Sequence, residues 1–207
     1  MNVAPGTDIP GSVKVEDSTK PVELPNLTVN LQPTLPVGMS PRAKAGEGMK
    51  FTLKNVPPLH YRVYVNGVPE GCFVKSIRYG GTEMPDEGID ITAAAPIEIT
   101  LSATAGEILA AVVDKDGKPV RNALVALIPK DGKSTRANTT DEAGAVTFGT
   151  LKPGDYRLMA FEDIPPGAYQ DPEFVKPFEG SAASVKLDPS GRQAIQITVI
   201  PASDTDK

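Results

Sequence analysis

The chain has 207 residues, with 21 basic against 26 acidic side chains, a formal charge of −5, 40% hydrophobic content, 21 Pro, 19 Gly, one Cys and no Trp. That apolar share is enough for packed cores and excludes wholesale disorder, while turn-formers scattered without a period point to many short strands. The acidic balance, without a basic stripe interleaved with aromatics, excludes nucleic acid as a partner.

The chain begins "MNVAPGTDIPGS", which has neither a basic n-region nor an apolar h-region, so no signal peptide is expected there. Its Pro-rich, mostly polar stretch 1–11 is a candidate donor strand for the sheet of a neighbouring molecule. His60, in the turn "PPLHY", reads as a solvated or capping imidazole rather than a lone metal ligand. Cys72 rules out an internal disulfide; it is either a small buried hydrophobe or, if exposed, a link between two chains. "IEITLS" alternates Ile97, Ile99 and Leu101 with Glu98 and Thr100, as a half-buried last strand does. Only "ATAG" follows before the next strand.

In the second half the turns punctuate the strands. Strands are predicted over 107–113, 122–128, 133–139, 145–149, 155–161, 183–187 and 193–200, separated by "DKDGKP", "PKDG", "DEAG", "LKPG", a long connection, and "DPSGR". In the long connection, Asp171-Pro172-Glu173 offers an N-cap, a proline at the first helical position and an early acid, enough for a short turn of helix. The longest apolar run, "ILAAVV" at 108–113, is far too short for a membrane span.

The chain also repeats itself. "FTLKNVPPLHYRVYV" (51–65) lies over "VTFGTLKPGDYRLMA" (146–160), with Tyr61 on Tyr156, Pro58 on Pro153, Thr52 on Thr147 and Arg62 on Arg157. "VEDSTKPV" (15–22) similarly resembles "VDKDGKPV" (113–120). The economical reading is an all-β chain of two tandem seven-stranded Greek-key sandwiches, of immunoglobulin-like type, over residues 9–103 and 106–202.

The segment 110–161 carries Asp114, Gly117, Pro119-Val120, Ala123, Val125, Leu127, Thr140-Asp141, Gly144, Phe148, Leu151, Pro153-Gly154, Tyr156 and Leu158 in order. In that order and spacing it resembles the carboxypeptidase regulatory-like domain, a transthyretin-like seven-stranded sandwich. The first copy is more degenerate, with Leu59 and His60 where the second has Gly154 and Asp155. The resemblance implies a module of a secreted or cell-envelope bacterial protein, extracellular or periplasmic, whose partner is a protein or envelope polymer. It does not by itself imply a function.

Enzymes and cross-linking domains of this fold need residues that this chain lacks. 5-Hydroxyisourate hydrolases need several histidines and a Tyr-Arg-Gly-Ser tail, and intradiol dioxygenases need two His and two Tyr. Cna B-type domains need a carboxylate four residues after the tyrosine, where Val65 and Ala160 stand here, and the final strands contain no Asn. No catalytic residue, no cofactor and no cross-link is therefore expected. Asp114, Asp116, Asp131 and Asp141 are calcium candidates if they converge, and turn residues if they do not. Tyr61 and Tyr156 read as tyrosine corners. Phe161, Tyr169, Phe174 and Phe178 form either an aromatic platform for glycan or peptide or a ring cluster capping the sandwich end. The leading reading is a non-enzymatic spacer, adhesion or assembly module contacting neighbours through ends and edge strands. The alternative is a ligand-binding module using the loop 161–178.

Overall fold

The computed structural model describes residues 6–19, 21–35, 40–132 and 135–205. The chain divides into two units, Met1–Thr104 and Ala105–Lys207.

The first unit holds β1 (Thr7–Glu16), β2 (Thr28–Pro33), β3 (Arg42–Lys44), β4 (Lys50–Val56), β5 (His60–Asn66), β6 (Phe73–Tyr79), β7 (Thr82–Glu83), β8 (Ile89–Asp90) and β9 (Ile97–Ser102). They form a sheet of order β4-β1-β9-β6-β7 and a second of order β3-β2-β5-β8. Alternation decides which residues go inside: Ile97, Ile99 and Leu101 of β9 are buried while Glu98 faces solvent. Their core partners include Ile9, Leu27, Leu31, Leu53 and Tyr61. Gly11 is required where β1 passes beneath the Phe51 ring, since a Cβ there would lie 2.1 Å from Phe51 Cζ.

The second unit holds β10 (Gly106–Val113), β11 (Leu124–Pro129), β12 (Arg136–Thr139), β13 (Ala145–Leu151), β14 (Gly154–Phe161), β15 (Ala183–Leu187) and β16 (Arg192–Ile200). A one-turn helix α1 (Pro172–Val175) lies in the long connection. β13-β10-β16 form one layer, and β12-β11-β14 with β15 form the other. The layers join where the end of β16 pairs with the end of β14, Val199 on Ala160 and Ile200 on Phe161. Val125, Ala126, Leu127 and Ile128 of β11 are all buried. One face of that strand meets the sandwich core and the other meets the long connection, which explains its unbroken apolar run.

Two pairing features occur in each unit. The first strand pairs in parallel with the last, β1 with β9 and β10 with β16. The first strand also pairs antiparallel with a bulged partner: Thr7 and Ile9 face Val56 and Leu53, and Gly106 and Ile108 face Leu151 and Phe148. The extra residue includes a left-handed position, Asn55 (φ 51°) in one unit and Thr150 (φ 55°) in the other. The bulge lets residues three apart, such as Leu53 and Val56, both point inward.

Among the described residues seven strands fit the second unit, but the first has nine. The added pair, β6 and β7, extends its sheet beyond β9. The N-terminal stretch 1–11 is not a free donor strand as expected. Residues 7–11 lie in β1 and are paired within the first unit, and residues 1–5 lie outside the described residues.

Candidate functional site

The two tyrosines of the repeat are spent on the backbone. Tyr61 Oη donates to the Pro57 carbonyl at 3.0 Å and Tyr156 Oη to the Lys152 carbonyl at 2.5 Å, each four residues upstream. Both rings are buried, and desolvation pushes both phenols above their ordinary pKa. A neutral phenol fixed to a carbonyl is a structural brace, not an acid or a nucleophile.

The calcium candidates do not converge. Asp114 Oδ1 accepts the N–H groups of Asp116 (2.8 Å) and Lys118 (2.9 Å), and Asp141 Oδ1 accepts those of Ala143 and Ala145 (2.9 Å each). Gly117 and Gly144 complete the two turns in the left-handed region, at φ 79° and 71°. The Lys118 N–H bond, ahead of that from Asp116, holds the Asp114 carboxyl below its usual range. Among the described residues no group of three or more His, Cys, Asp or Glu is placed to hold a metal. Asp114, Asp116 and Asp141 are therefore reassigned from calcium candidates to turn positions.

Phe161, Phe174 and Phe178 do come together, with ring centroids 5.6–6.0 Å apart. The long connection delivers them: Asp171 caps α1 by accepting the Glu173 N–H at 2.9 Å, and the four-residue spacing sets Phe174 and Phe178 on one side. They cover the outer face of β11 and β14 with Ala126, Ile128, Met159 and Val175, while Tyr169 packs at the margin. Phe161 is wholly buried, which corrects its assignment as a ligand contact. The rings saturate one another and form a small second core.

His60 lies on β5 with both ring nitrogens facing acceptors. Nδ1 is 2.9 Å from Asp90 Oδ1 and Nε2 is 3.2 Å from the Glu87 carbonyl. Only the imidazolium donates to both, and these two partners, Asp90 first, raise its pKa above 6.5. The sequence leaves His60 as a solvated or capping imidazole and does not reveal these partners, because β8 is two residues long and has no periodicity to detect. Cys72 is 2% exposed and its thiol is pushed up by burial, so of its two readings the small buried hydrophobe holds and the exposed interchain link does not.

On the outer face of β1, β9 and β6, Glu16 meets Lys14 Nζ at 2.6 Å and Lys75 Nζ at 2.9 Å. Lys14, then Lys75, lowers its carboxyl to about 2. The buried polar side chains among the described residues are Ser102 and Thr140. Ser102 Oγ bonds Asp17 and Thr104, and Thr140 Oγ1 donates to Val120 and accepts from Ala123. No described Lys or Asn is buried as an intramolecular cross-link would require.

Residues 107–163 match the family model of the carboxypeptidase regulatory-like domain. That match lies within the second unit. The match spans β10 to β14 of this chain, including both aspartate turns and Tyr156. No protein of the curated set matches the chain by sequence. Solved structures similar to it include the TIE protein of Bacillus anthracis (18% identity, TM-score 0.34, covering 94% of this chain and 33% of that one). A streptococcal ancillary pilin follows (13%, 0.34, 93% and 68%), with the major pilin subunit of Bacillus cereus (14%, 0.37, 83% and 58%). The chain spans about a third of the length of the first of these. Likeness at this level carries no inference about function.

Proposed function

We propose that this chain is a non-enzymatic structural segment of an extracellular or cell-envelope protein. On this reading it is a spacer of two copies of one domain, over 9–103 and 106–202, that keep their fold under tension. The observation that carries the reading is the parallel pairing of first and last strands in each unit: residues 11–16 with 97–102, and residues 107–113 with 192–198. A pull on the two ends of a unit draws such strands past each other along their length. The ladder bonds then bear force together rather than opening one at a time. Three residues separate β9 from β10, so force passes along the chain from one clamp to the next. The matching bulges and tyrosine braces support the two-copy reading. The secreted or envelope location rests on the family resemblance.

Forced unfolding of the single chain, held at its two ends, tests this. Two separate high-force events are expected. Ala111→Pro, which removes an N–H directed at β16, should weaken the second event alone. If the chain yields at no higher force through its ends than through attachment points that peel β4 or β13 sideways, it is not a tension-resisting spacer.

A further inference from the structure

The sheet β13-β10-β16 of the second unit differs from its counterpart in the first in two respects. In the first unit the outer face carries Lys14, Glu16, Lys75, Arg78 and Glu98, and the far edge of β9 is covered by antiparallel β6, from Phe73 on Ser102 to Tyr79 on Ile97. In the second unit the chain after β14 turns helical and packs on the other layer. The outer face of its sheet is uncharged at the centre: Leu109 (43% exposed), Ala111, Thr147, Ala194 and Gln196.

The edge of β16 is open. Glu107 N–H donates to the Gly191 carbonyl, so Gly191 and every second residue after it face β10. The N–H and C=O groups of Arg192, Ala194 and Gln196 and the N–H of Thr198 point away from it, while the Thr198 carbonyl is turned to β14 at the start of that pairing. Among the described residues β16 has strand partners only in β10 and, at its last two residues, β14. Other edges are blunted: β3 is three residues with Arg42 and Lys44, β4 carries Lys50 and Lys54, and β15 carries Lys186. β13 is broken by its bulge, and Arg136 takes its Gly149 carbonyl at 2.9 Å. β16 has nine residues without Pro, Lys or a bulge.

We infer that β16 pairs antiparallel with β16 of a second copy of this chain, forming a twofold dimer with one continuous sheet. With the axis beside Ile195, Ala194 faces the other copy's Gln196 and Arg192 faces its Thr198. This register centres on the open residues Ala194 and Gln196, leaves the Thr198 N–H to meet the Arg192 carbonyl, and opposes no like charges. Moving the axis by one residue, to Gln196, would set Arg192 against Ile200, which already pairs with β14. The first unit supplies the precedent for the occupant: on the equivalent edge, the chain's own antiparallel strand is seated.

Light scattering of the full chain across a concentration series tests the dimer, separately from any measurement of unfolding force. The mass is expected to rise from 21.8 kDa toward twice that value. Gln196→Pro removes only an outward N–H, so it should stay monomeric with an unchanged denaturation midpoint. Should that variant fail to fold, the surface pair Ala194→Lys with Gln196→Lys sets like charges across the axis and should also abolish the dimer. A parent chain that is monomeric throughout, or folded variants that dimerise as well as the parent, would overturn the proposal. So would a monomer that instead captures an added peptide of the β6 sequence.

Discussion

Tyr156 holds Lys152: the phenol on β14 reaches back 2.5 Å to the carbonyl of the residue four positions before it and so fixes the turn entering its own strand. Tyr61 and Pro57 stand in the same relation in the first unit. Tyr156→Phe keeps the ring and deletes the bond, and is expected to cost about 1 kcal/mol in chemical denaturation. Tyr61→Phe should cost about the same in the other unit. A larger loss from either would mean that the hydroxyl does more than brace a turn.

Which features were legible follows from where the information lies in the chain. The boundaries of β15 and the alternation of β9 are local, carried by side chains two apart, and the sequence reading placed both. The tyrosine braces and the cap at Asp171 are equally local. The parallel pairing of first and last strands is not local, because neither β1 nor β9 names its partner in its own residues. Nor was the ring cluster decidable from spacing. Four aromatics within a short stretch are compatible with display or burial, and it is the apolar outer face of β11 and β14 that draws them in. Among the candidate sites, residue identities were readable but their neighbours were not, so the aspartates looked available until the turn N–H groups were seen to occupy them.

His60 makes the first unit sensitive to pH. Its folded pKa is raised above the unfolded value near 6.5, so the stabilisation from Asp90 and Glu87 is fully present below that value and is lost as pH rises through the folded pKa. The thermal midpoint of the first unit is expected to fall between about pH 6 and pH 8. His60→Gln should flatten that dependence. The second unit contains no histidine and should not respond.

Phe161→Ala removes the ring on which Phe174 and Phe178 converge, and a loss of about 3–5 kcal/mol is expected. Phe174→Ala, from a half-buried position, should cost less. Circular dichroism during urea titration orders the two, and equal costs would refute the assignment of Phe161 as the centre of this second core.

Thr150 is a β-branched residue in the left-handed region, where Asn55 stands in the first unit. Asn tolerates that conformation better, so Thr150→Asn should stabilise the second unit by about 1 kcal/mol. A drop in the denaturation midpoint would show that the Thr150 hydroxyl, which donates to the Gly149 carbonyl at 2.7 Å, matters more than the backbone strain.

Cys72 should resist a thiol reagent in the native chain and react at the rate of an ordinary thiol only once the first unit unfolds. Rapid native labelling would contradict its burial.

The parallel marriage of opening and closing strands also sets a timetable for synthesis. β1 has no β9, and β10 no β16, until the last residues of that unit have emerged, so neither clamp closes on a nascent chain. The first unit can be complete while the second is still being made, and the two mature in the order in which they leave the ribosome. A chain cut short before residue 192 would carry β10 with one flank open, a sticky intermediate rather than a smaller version of the same fold.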